Sequence, residues 1–155
     1  MKYFTIDELT RSATARARGI DNKPTAEARM NLTALVGAVL DPLRERWGKP
    51  IKVNSGYRCP ALNEAVGGVP NSQHMKGEAA DISGANARET AELGRLIVQM
   101  GAYDQVIFEM SDAMCTQCQW IHVSWKRIGV NRRNVLKLQK GTRGYKTVNR
   151  LEIKA

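Results

Sequence analysis

The segment Ser72-Gln73-His74-Met75-Lys76-Gly77-Glu78-Ala79-Ala80-Asp81 constrains this 155-residue chain more than any other stretch. It sets an imidazole and a carboxylate seven residues apart around a glycine, the residue that takes positive φ at no steric cost. A loop must therefore turn tightly into a strand for the two groups to reach one point. The only other histidine, His122, lies in Trp120-Ile121-His122-Val123-Ser124. Together His74, Asp81 and His122 make a three-ligand zinc set, which leaves the fourth tetrahedral position open to water, as a catalytic metal requires and a structural one does not. Taken singly, the same residues read as a loop histidine, a turn aspartate and a half-buried strand histidine.

The surrounding pattern predicts the frame for such a site. Leu32, Leu35, Val36, Val39, Leu40, Leu43 and Trp47 recur at helical spacing, which predicts a helix over residues 25–47, with Thr25 as N-cap and Gly48 and Pro50 as its end. A second helix is predicted over residues 87–100. Asn86 caps it, Glu89 takes the capping-box position, Leu93, Leu96, Ile97 and Met100 form the buried stripe, and Gly101 stops it. Strands are predicted at 51–54, 79–82, 105–109 and 120–125. Alternation then sends Ile121 and Val123 one way and Trp120, His122 and Ser124 the other, while Asp81 shares a face with Ala79. Helices packed on a small, mostly antiparallel sheet give an α+β class.

The length suits one domain with a single core. The N-terminus becomes charged before any apolar run forms, and no later run approaches the roughly 18 apolar residues of a membrane span. The expectation is a protein made in the cytoplasm without a signal peptide, soluble and monomeric, with no membrane span. Residues 126–155 hold ten of the 24 Lys and Arg and one acid, Glu152, so the whole net charge of +9 resides there. A basic segment on a neutral body favours polyanions such as nucleic acid or the acidic polymers of a bacterial wall; the alternative is a solubilising tail. Specific nucleic-acid binding is not expected, because this segment carries a single aromatic residue, Tyr145. Three cysteines, Cys59, Cys115 and Cys118, suit a reducing compartment. They also leave open a closed zinc site built from those thiolates and His122.

Upstream, Asn54-Ser55-Gly56-Tyr57-Arg58-Cys59-Pro60 supplies an arginine just after a strand, and a guanidinium fork grips carboxylates in two places. With Leu62-Asn63, Val66-Gly67-Gly68, the His74 to Asp81 element and Trp120-Ile121-His122-Val123-Ser124, this resembles the zinc D-alanyl-D-alanine carboxypeptidases and L-alanyl-D-glutamate endopeptidases, in the branch common among phage endolysins. The similarity runs from about Phe4 to Trp125. It implies a zinc peptidase domain over residues 1–125, with the basic segment 126–155 packed on it or extending from it.

The resemblance further implies that His74, Asp81 and His122 bind zinc and that Arg58 holds a substrate carboxylate or carbonyl, with Ser72 and Gln73 also lining the substrate site. The family's general base is often an acid three residues before the second histidine. Here that position is Gln119, which cannot take a proton. Glu109, at the end of a predicted strand, is the expected base, and Asp112 the alternative. The expected activity is hydrolysis of peptidoglycan stem peptides by a wall lysin that acts after release or is carried by a virion. The alternative reading, favoured by Gln119, is a non-catalytic zinc domain that binds wall or serves in a virion.

Overall fold

The computed structural model describes residues 1–110, 117–138 and 146–147. Asp112, Cys115 and most of the segment after Leu138 lie outside the described residues. Two short helices, α1 (Ile6–Thr10) and α2 (Ala13–Arg18), open the chain, capped by the hydroxyls of Thr5 and Ser12. Next comes α3 (Ala26–Leu35), whose N-cap Thr25 accepts from the Ala28 amide, as the sequence predicts. This helix widens into a π turn (Val36–Leu40) before α4 (Asp41–Trp47).

The periodicity predicts one uninterrupted helix over this stretch, and Pro42 is the reason for the difference. Proline offers no N–H to the carbonyl four residues back, and its ring crowds that carbonyl. The ladder is displaced there, and the Asp41 amide bonds to the Val36 carbonyl five residues back.

The rest of the chain lays down β1 (Lys52–Ser55), α5 (Pro60–Ala65), a 3-10 turn (Gln73–Lys76), β2 (Ala79–Ser83), α6 (Ala87–Met100), β3 (Gln105–Met110), β4 (Cys118–Ser124), β5 (Asn134–Leu138) and the two-residue β6 (Lys146–Thr147). In space the strands run β1-β2-β4-β3-β5-β6. Among the described strands only the β3–β5 pair is parallel, so the expected α+β class with a mostly antiparallel sheet is what forms.

Two faces divide the labour of this sheet. Ala80, Ile82, Val106, Phe108, Ile121, Val123 and Val135 turn inward and join Leu32, Leu35, Val39 and Leu43 of the first long helix and Leu93 and Ile97 of α6 in one core. Helix α6 sits close because Gly94 has no side chain: a Cβ there would lie 2.5 Å from the Phe108 ring and 2.7 Å from Ile121 Cδ1. Alternation then puts Asp81, His122, Ile107 and Glu109 on the opposite face, where they line a cleft.

The β3–β4 register slips once, Glu109 facing Trp120 while Met110 faces Cys118. The extra residue is Gln119, which is exposed. This bulge reverses the alternation, so Cys118 enters the core cluster while Trp120 and His122 stay on the cleft side.

Candidate metal centre and active cleft

The 3-10 turn delivers His74. Ser72 Oγ accepts from the His74 amide, and Gly77 ends the turn at φ +74°. Glycine is required there twice over, because an added Cβ would also lie 2.3 Å from the backbone oxygen of Ala28. After this turn the chain enters β2, whose Asp81 pairs across the ladder with His122 of β4. The local turn and the strand pairing thus bring the three residues of the sequence motif to one point.

His74, Asp81 and His122 offer ligand atoms that all lie within 4.8 Å of one another, and all three side chains are buried or nearly so. Asp81 Oδ1 stands 3.2 Å from His74 Nε2 and 3.1 Å from His122 Nδ1. The outer nitrogens are already committed. His74 Nδ1 lies 2.7 Å from the carbonyl oxygen of Gly56, which only accepts, so this nitrogen donates and Nε2 keeps its lone pair. On the other side, His122 Nε2 lies 3.1 Å from Gln73 Oε1, so it too donates, and Nδ1 keeps its lone pair. Two imidazole lone pairs and a carboxylate oxygen therefore converge with no proton of their own between them, the arrangement a divalent cation relieves.

Among the described residues this is the one group of three or more such side chains that meets around a point. Cys118 belongs to the core, its thiol pushed up to about 12 by burial and by Glu109, the opposite of a thiolate ligand.

Arg58 closes one side of the cleft. Its Nε donates to Ser55 Oγ (3.1 Å), Nη1 donates to Asn63 Oδ1 (3.2 Å), and Nη2 stands 3.5 Å from Asp81 Oδ2. Asn63 is held in turn by donating to the Val69 carbonyl (2.9 Å). Gly68 leaves the room, since a Cβ there would lie 2.1 Å from Asn63 Oδ1 and 2.9 Å from Arg58 Nη1. Gly56 allows the close pass of its turn against α1, where the Tyr57 amide donates to the Leu9 carbonyl (2.8 Å). The glycines and asparagine of the sequence motif are thus the packing that aims Arg58 and His74.

Glu109 occupies the opposite side. It lines the same cleft of about 540 Å³ as Arg58, His74, Asp81 and His122, together with Trp120. Burial and the charge of Asp81 push its carboxyl up to about 7. Gln119 does not line the cleft.

Ser72 is buried as the cap of the turn, and both ends of the Gln73 amide are engaged: Oε1 accepts from His122, and Nε2 donates to Asp104 Oδ2 (2.9 Å). These contacts point to holding His74 and His122 in place; neither residue was assigned that role by the sequence pattern. Asp104 is fully buried and carries no sequence signal beyond being an acid before an apolar strand. Arg132 binds it with its backbone amide (2.9 Å), Nε (3.1 Å) and Nη2 (2.8 Å), and these bonds with that of Gln73 hold the carboxyl well below its usual range although burial would raise it. The basic segment thus begins inside the fold, with β5 hydrogen-bonded to β3.

In comparison with known proteins, residues 2–124 match the family described as Peptidase M15. An 80-residue stretch is 40% identical to the zinc D-Ala-D-Ala carboxypeptidase of Streptomyces albus G. That stretch is 51% of this chain and 30% of the relative, so the chain spans less than a third of the curated relative it matches.

Proposed function

Because the chain belongs to the peptidase M15 family, we propose that it is a zinc-dependent peptidase acting on the stem peptides of peptidoglycan. The observation that carries this reading is the convergence of two imidazole lone pairs and the Asp81 carboxylate at the floor of a cleft that also holds a guanidinium and a second carboxylate. His74 Nε2, His122 Nδ1 and Asp81 Oδ1 would hold the zinc. When bound, the ion supplies Lewis acidity that polarises a carbonyl and brings the pKa of water towards neutrality.

The remaining work falls to the chain's own side chains. Glu109 takes the proton from the attacking water and returns it to the leaving amine, roles suited to a carboxyl poised near the working pH. Arg58 keeps part of its fork on Ser55 and Asn63, which orients its remaining donor towards Asp81 and the cleft, where it holds a substrate carboxylate. Stem peptides carry such carboxylates. The similarity to a zinc D-Ala-D-Ala carboxypeptidase supports this class. A lysin role, with release to the wall or carriage by a virion, is the biological setting this chemistry fits, and the cations of residues 126–155 suit an anionic wall polymer.

The test is release of new amino groups from purified peptidoglycan by the zinc-loaded protein, with mass spectrometry of the products to separate terminal from internal cleavage. Glu109→Gln is expected to lower the rate about 100-fold or more while zinc content stays at the native level. A wild-type protein that binds zinc but releases nothing would instead favour a non-catalytic wall-binding domain, the reading to which Gln119 lends weight.

A further inference from the structure

We propose that Arg132, beyond the part of the chain that matches the peptidase family, is a positioning residue of the metal centre, acting through Asp104 and Gln73 on His122. The inference rests on the metal reading above and concerns how the second histidine is kept fit to bind.

The chain of groups is fixed by what each can donate or accept. Arg132 has only donors, and it presents Nε, Nη2 and its backbone amide to the two oxygens of Asp104. Asp104 as a carboxylate only accepts, so the end of the Gln73 amide that faces it must be the NH2 group. Ser124 Oγ donates to the same carboxylate at 3.3 Å. Gln73 Oε1 is thereby turned to His122, and an oxygen there demands the Nε2–H tautomer. That tautomer leaves the Nδ1 lone pair towards Asp81 and the metal position.

Released from Asp104, the Gln73 amide is free to turn over and offer NH2 to His122 Nε2. The imidazole proton then moves to Nδ1, where it points at Asp81 Oδ1 and blocks ligation. Asp104 alone could not hold this arrangement, because a fully buried, unpaired carboxylate would protonate, and a protonated acid is itself a donor that tolerates the turned amide. Arg132 removes that option. It reaches the site because the loop before β5 returns to the β3 edge, where the Asn134 amide donates to the Asp104 carbonyl (2.9 Å).

The test is a double-mutant cycle on zinc affinity, measured by chelator competition, with the visible spectrum of the cobalt-substituted protein as a second readout. Gln73→Met keeps the length of the side chain, removes both hydrogen bonds and leaves the Arg132–Asp104 pair in place. It is expected to weaken zinc binding about 10- to 100-fold and to shift the cobalt bands. Arg132→Met is expected to weaken binding at least about threefold in the wild-type background and not at all beside Gln73→Met, because its effect passes through that amide. Equal losses in both backgrounds, or unchanged affinity and spectrum in Gln73→Met, would overturn the inference. Gln73→Met leaves the β5 edge intact, so its result stands even if Arg132→Met fails to fold. Wild-type protein that takes up no zinc would overturn the metal reading itself, a result distinct from either.

Discussion

Glu109 is the general base in the proposed mechanism, and its position follows from strand alternation: Val106 and Phe108 face the core, so Ile107 and Glu109 face the cleft. Because only its carboxylate form accepts a proton, kcat/KM should rise with pH through its pKa and then level off. Burial and Asp81 place that group at about 7 without a metal, and a nearby divalent cation favours the charged form, so the limb should lie at or below pH 7 in the zinc enzyme. A profile with no rising limb at or below pH 7 would remove Glu109 from the proton transfers. At this scale the meeting of His74, Asp81 and His122 was legible, because the glycine at position 77 announces the turn and the alternation around His122 announces its face. The tasks of Gln73, Asp104 and Arg132 were not. Their partners lie 31 and 28 residues away along the chain, and only the fold sets those distances.

Among the elements, the 3-10 turn matters most, since it sets the spacing between His74 and Asp81. Gly77→Ala forces a side chain into left-handed backbone and against the Ala28 carbonyl, and should cost about 2 kcal/mol or more, about 4–8 °C in Tm, while also weakening zinc binding. Gly94→Ala is the matching control on the other face. It overpacks α6 against Phe108 and Ile121 at a cost of about 1–3 kcal/mol, with zinc affinity expected to hold near the native value. Equal effects of both on zinc binding would deny the turn its special role. The two long helical segments and strands β1 to β4 could be read from the sequence by their apolar patterns and the turn residues that bound them. Helices α1, α2 and α5 span five or six residues each, too few to establish a period. Strand β5 hides in the basic run, since Asn134 and Lys137 interrupt its apolar residues.

For the whole molecule, one sheet separates two jobs: its inner face gives the core on which stability rests, and its outer face gives a buried, charged site. No described helix is long and apolar enough to cross a membrane. The basic segment joins both jobs, as Val135 enters the core while Arg132 reaches Asp104. Ending the chain after Trp125 should therefore lower Tm and zinc affinity together, whereas ending it after Leu138 should leave zinc affinity unchanged and reduce only the salt-sensitive binding to anionic wall polymer. Zinc affinity that survives in the chain ended after Trp125 would reduce the segment to the solubilising tail that its charge alone suggests. The measurement that bears most directly on the whole account is the zinc content of the purified protein beside its His74→Ala and Cys118→Ser variants. One zinc per chain is expected in the native protein and in Cys118→Ser, and none in His74→Ala. Zinc that is retained without His74 but lost with Cys118 would contradict the site described above.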